Sequence, residues 1–256
     1  MATKSLISIT DLLEQSWAQV REHAAELSKR SSWFIALAVG SFALNLLAFA
    51  LPDYASPALR IIDWAGIQLL GTSFVSMRVT QALIRQETNN TEADVYSSKI
   101  FFAYVWVSIL VGLASLGGLV VFVIPGVWLT VALSFALLYV LEERKRGTQA
   151  MAASVELVKG RWWATMIRLA VPGLAVLFLF FFVTSLLNSI VTFIAGYNPT
   201  EIVREYAAAY WWVSPPKQIV FAAATNQAIG ALSMALFAPM VIALITRLFH
   251  ELKRTK

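Results

Sequence analysis

Seven polar or charged side chains fall within, or at the ends of, long apolar runs: Asn45, Asn188, Asn226, Gln227, Asp63, Arg78 and Arg168. An amide in such a run offers donors and an acceptor to a solute, and a guanidinium offers a fixed fork suited to phosphate or carboxylate. Asn188, Asn226, Gln227 and Arg168 are therefore the candidate lining of a ligand cavity. The competing use is structural. Amides in apolar helices commonly bond to neighbouring helices, and this is the preferred reading for Asn226 and Gln227. Asp63, Arg78 and Arg168 fall within about a turn or two of an expected membrane interface, where a long side chain reaches water.

Catalytic patterns are absent: there is no HExxH, no GxSxG, no phosphate-cradling glycine loop and no carboxylate pair within one apolar run. Glu142 and Glu143 are adjacent, so on a helix they diverge by about 100°. The chain has no cysteine, and His23 and His250 lie near opposite ends, so neither a thiolate site nor a histidine metal cluster is expected. No catalytic residue, cofactor or metal is assigned, and the expectation is a protein that is not an enzyme.

The elements that must position these residues follow from composition. With 59% hydrophobic and 14% charged residues among 256 and a mean hydropathy of +0.69, the chain has more apolar surface than a soluble core of this size would bury. The expected fold is all-α: a polytopic membrane helical bundle forming a single domain over residues 1–256. A spanning helix needs about 20 apolar residues, and six runs approach that length, at 33–51, 61–84, 100–124, 127–141, 163–195 and 219–249. Pro125-Gly126 is expected to make the tight turn between the third and fourth. Pro172 and Pro239 are expected to kink the last two.

The formal charge is +5, yet the basic residues flank apolar runs instead of clustering on a soluble face, which argues for anionic lipid at the cytoplasmic side and against nucleic acid. Six spans with the N-terminus inside divide the 20 Lys and Arg residues 17 to 3, leaving only Arg60, Arg204 and Lys217 outside. Both termini are therefore expected in the cytoplasm. Residues 1–30 lack a continuous apolar core, so no cleaved signal peptide is expected.

Three interfacial helices complete the reading. In 8–30, Leu13, Trp17, Val20, Ala24 and Leu27 make an apolar stripe, with Ser8 or Thr10 as N-cap. Residues 148–159 are expected to form a cytoplasmic helix capped by Thr148, and 200–212 an external one. Asn89-Asn90-Thr91 fits a glycosylation sequon, but the charge division puts it in the cytoplasm, and Thr91 with Asp94 is better read as a cap. Ala36 with Gly40, Ala114 with Gly118 and Ala231 with Ala235 are spaced for close helix packing within the monomer, a homodimer contact being the alternative.

One stretch is more specific. Residues 121–163 join an apolar helix, Ile124-Pro125-Gly126, a second helix, a charged turn and the series Ala150, Ser154, Leu157, Gly160. This resembles the membrane domain of glycerophosphoryl diester phosphodiesterases and related bacterial six-span families, and Ile9–Trp17 looks like their amphipathic opening. The resemblance implies a fold and a bacterial inner-membrane location. In those phosphodiesterases hydrolysis belongs to a separate soluble barrel, so no activity carries over. In construction, Ala150 and Ser154 let the cytoplasmic helix lie close to the bundle, and Gly160 ends it in a left-handed conformation. The function expected is a scaffold, or a membrane-protein partner of lipid or envelope machinery. The alternative is a carrier or channel for a lipid or small solute.

Overall fold

The computed structural model describes residues 6–50, 62–88, 97–194, 196 and 217–256, and all regular structure among them is helical. The helices are α1 (Ile9–Glu22), α2 (Ala24–Ser31), α3 (Trp33–Ala50), a wider π-type stretch (Ile62–Gly71), α4 (Thr72–Thr88), α5 (Ser98–Val121), α6 (Val123–Leu133), α7 (Ala136–Glu142), α8 (Thr148–Val158), α9 (Trp162–Ile194) and α10 (Lys217–Arg254). The expected external helix at 200–212 and Asn89–Thr91 lie outside the described residues.

Among the described residues, four stretches are long and apolar enough to cross a membrane: Ser98–Val121, Val123–Glu142, Trp162–Ile194 and Ala228–Arg254. They correspond to the last four of the six expected runs. Of the first two, α3 is apolar over 18 residues and stops where the described residues stop. The second run is divided, with a π-type start and an α-helical continuation to Thr88.

The chain forms two compact units. The first comprises 1–30, 76–176 and 238–256. Its core includes Met77, Val79, Ala82, Leu83 and Ile84 of α4, all essentially inaccessible. A helix enclosed on several sides in this way is a core element of the unit. Phe249 of α10 meets Tyr139 edge-on at 5.0 Å and Phe135 at 6.0 Å.

The α5–α6 reversal differs from expectation. The chain turns at Phe122, whose backbone is extended (φ −157°, ψ 139°), and Pro125-Gly126 already lies inside α6. Proline is tolerated there because a first-turn N–H has no intrahelical acceptor to lose. Gly126 serves close approach instead: a Cβ on it would sit 2.5 Å from the Leu119 backbone nitrogen, and one on Gly118 would sit 2.9 Å from Gly126 Cα. The small residue at 118 is thus used within the monomer.

Helix α8 buries Ala150, Ser154, Leu157 and Val158. Its N-cap is Gly147 (φ 51°), one place earlier than the expected Thr148, which is the first helical residue. Gly160 follows the helix at φ 79°, the left-handed conformation expected of it. The N-terminal helix breaks at His23, and its buried face is Leu12, Ser16 and Gln19. The anticipated stripe is rotated by one residue, so Trp17 is 58% exposed. Ser8 is the N-cap, accepting from the Asp11 amide at 3.1 Å.

The second unit comprises 31–75 and 177–237. Within it α9 and α10 are joined by Phe180 against Phe237, 6.1 Å apart and edge-on, and by Thr184 Oγ1 donating to Ser233 Oγ at 3.0 Å. Pro172 and Pro239 each sit inside an uninterrupted helix.

Candidate functional site

The first unit holds a cleft of about 710 Å³. Helix α1 contributes Asp11 and Gln15, α4 contributes Glu87, α9 contributes Arg168, and the end of α10 contributes Arg247, His250, Glu251 and Arg254. Three guanidiniums thus lie with three carboxylates, of which Arg247 pairs with Glu87 and Arg254 with Glu251.

Its walls are tied together by hydrogen bonds between distant parts of the sequence. Arg247 Nη1 donates to Glu87 Oε2 at 2.9 Å and Arg247 Nε to Gln15 Oε1 at 3.0 Å. Arg168 Nε donates to the Ile7 carbonyl at 2.7 Å, Nη2 to the Leu6 carbonyl at 3.3 Å and Nη1 to the Ala164 carbonyl at 3.0 Å. Arg168 therefore anchors the segment leading into α1. Among the described residues, the buried Nε2 of His250 has no hydrogen-bond partner.

A second charged cluster lies in the same unit. Lys253 Nζ donates to Glu142 at 2.8 Å and Glu143 at 2.7 Å. Arg161 grips Thr255 through its hydroxyl at 2.5 Å and its carbonyl at 2.6 Å. Burial would raise the Glu143 carboxyl, but hydrogen bonds from Lys145 and Lys253 outweigh it and hold the group below the ordinary carboxylate value. Glu26 is likewise pulled down, burial being outweighed by Arg30 at 2.8 Å and Arg85 at 2.5 Å.

Of the residues singled out in the sequence, Asn188 and Asn226 are brought together, Asn188 Nδ2 donating to Asn226 Oδ1 between α9 and α10. This is the interhelical use. The Gln227 side chain lies outside the described residues. Arg168 joins the cleft in the first unit and Asn188 belongs to the second, so the four candidates are not one lining within either unit.

Ser154 does more than give room. Fully buried, its Oγ donates to the Ala132 carbonyl at 2.7 Å and accepts from the Phe135 amide at 3.2 Å. Those two groups flank the break between α6 and α7, so one hydroxyl serves backbone groups that the interrupted helix leaves over. Sequence reasoning missed this, and it missed Glu87, Gln15 and His250 as wall residues. Partners 160 and 232 positions apart, as Glu87 and Gln15 are from Arg247, leave no spacing signal.

Compared with protein-family models, curated proteins and solved structures, the chain matches none.

Proposed function

We propose that the chain is a multi-pass protein of a bacterial inner membrane, with both termini at the cytoplasmic face, acting without catalysis as a scaffold or partner of lipid or envelope machinery. Six apolar runs, α3 and the π-type stretch with α4 among them, give an even number of passages through the bilayer. The 17 basic residues assigned to the cytoplasm all fall in the sequence ranges of the first unit, and Arg60, Arg204 and Lys217 all fall in those of the second. That partition follows from backbone compactness alone, yet it coincides with the division expected from positive charge inside.

The observation that carries the functional reading is the cleft. It is lined by both chain ends and by both signs of charge, which favours docking of a polar segment of a partner over passage of a solute. The carrier reading has less support, because Asn188 and Asn226 are occupied by each other and Arg168 by backbone carbonyls. The resemblance of 121–163 to the phosphodiesterase membrane domain supports the same conclusion, the catalytic barrel of those proteins being separate.

Native mass spectrometry of the gently purified protein tests it. A protein partner retained at fixed stoichiometry is the expected result. A lipid or solute retained on an otherwise bare chain would replace this reading with the carrier.

A further inference from the structure

We infer that the hairpin formed by α5, α6 and α7 enters one leaflet and turns back within it, holding its tip, residues 116–127, among acyl chains without reaching the far face. This rests on the membrane reading above and alters one part of it: two of the six apolar runs make a single-leaflet hairpin, and four cross.

The first observation is the chemistry of the tip. Between Ser115 and Thr130 the sequence is LGGLVVFVIPGVWL, without one charged, amide or hydroxyl side chain. A turn that emerges into water normally carries such residues. Here the turn is Phe122, 70% exposed, flanked by Val120 at 86% and Ile124 at 83%. Two amides at the reversal are served internally, that of Phe122 by the Gly118 carbonyl at 2.9 Å and that of Gly126 by the Phe122 carbonyl at 3.1 Å. Each amide served in this way lowers the cost of placing the reversal in hydrocarbon.

The second observation is where charge lies along the returning arm. At one end of it, Glu142 pairs with Lys253. Helix α8 packs on the arm through Ser154, and its Glu156 carbonyl accepts from Lys256 at 3.1 Å. Near the other end the Trp162 indole donates to the Trp128 carbonyl at 3.3 Å, and the neighbouring Arg161 grips Thr255. Ionised groups thus accompany the arm from Glu142 to the level of Trp128, so this length lies along the polar boundary and not across the hydrocarbon. Trp128, Trp162 and Trp163 supply the aromatic groups typical of headgroup depth.

Only the part beyond Trp128 is left to penetrate. From Trp128 to Phe122 is six residues, about 9 Å at a helical rise of about 1.5 Å. Half of the hydrocarbon thickness is roughly 15 Å, so the tip stops short of the midplane. The partition into units agrees: the whole of 98–142 belongs to the charged unit, whereas α9 and α10 also contribute residues to the other. Neither the parity of crossings nor the 17 to 3 charge division can detect the difference, since the tip carries no Lys or Arg.

The chain has no cysteine, so single cysteines report cleanly. In sealed vesicles of each orientation, Phe122→Cys is treated with a membrane-impermeant maleimide, with Lys99→Cys and Thr200→Cys as references for the two faces. The account expects labelling of the Lys99 variant from the terminal side, labelling of the Thr200 variant from the opposite side, and loss of labelling at 122 from both. A nitroxide at 122 should then be reached by oxygen and not by a polar nickel complex. Labelling at 122 from the far side overturns the hairpin and leaves the multi-pass reading intact; labelling from the terminal side also overturns it, by placing the tip in water. Opposite-face labelling of the two references is what the multi-pass reading itself requires. Should the Phe122 variant fail to insert, Val120→Cys, at the more exposed neighbouring position, answers the same question.

Discussion

The first unit joins its helices with charge: Glu26 to Arg85, Glu87 to Arg247, Glu142 and Glu143 to Lys253. In the second unit neutral groups join helices at Asn188 to Asn226, Thr184 to Ser233 and Gln68 to Ser41 at 3.4 Å, with Asp63 also buried there. Solvent explains the difference. An ion pair needs nearby water to offset the desolvation of its members, whereas an amide or hydroxyl bond survives in hydrocarbon at moderate cost. On the membrane reading proposed above, the second unit is the one that lipid surrounds.

The largest test of this comparison is a pair of lysine substitutions at exposed apolar positions, Phe178 in the second unit (74% exposed) and Trp17 in the first (58%). Phe178→Lys should cost about 2.5–3.5 kcal/mol of insertion free energy, the range for a lysine at the centre of a spanning helix, and sharply reduce the membrane-integrated fraction. Trp17→Lys should leave that fraction nearly unchanged. Equal tolerance at the two sites would break the distinction.

Next in size is the joint at Ser154. Ser154→Ala leaves the buried Phe135 amide without its acceptor and should destabilise the protein by about 1–3 kcal/mol, read as a lowered Tm in detergent. A smaller loss, about 1 kcal/mol, is expected for Gly160→Ala, since a side chain is strained at φ 79°. An unchanged Tm for both would remove the packing account of the Ala150–Gly160 series.

The smallest effect is on pH dependence. Glu26 and Glu143 both titrate below their ordinary value of 4.5 in the folded protein. A depressed carboxyl contributes stability above its unfolded value and loses it as pH falls through the folded one. Stability should therefore decline as pH drops below 4.5, and Arg85→Gln should shallow that decline by removing one cation from Glu26. A pH profile unaltered by Arg85→Gln would show that this pair adds nothing.

Much of the fold was legible because apolar length and charge placement are local signals. The last four runs, the left-handed Gly160 and the Ser8 cap each depend on residues within a few positions of one another. Pro125-Gly126 misled because the same dipeptide serves a turn or the first turn of a helix, and only the approach of Leu119 to Gly126 decides between them. In α1 the stripe is displaced by one residue, Leu12, Ser16 and Gln19 facing inward, whereas its last member Leu27 is buried as expected. The cleft was the least legible part. Its walls come from both ends of the chain, and Arg247, counted in the sequence only as a positive charge, acquires its role from Gln15 and Glu87.

On the proposed reading the charged unit, carrying both termini, lies at one aqueous face. Protease protection of tags placed before Met1 and after Lys256 tests it most directly, in sealed vesicles of known orientation. The account predicts that both tags are cut in inverted vesicles and both are protected in right-side-out ones. Tags cut from opposite sides would contradict it.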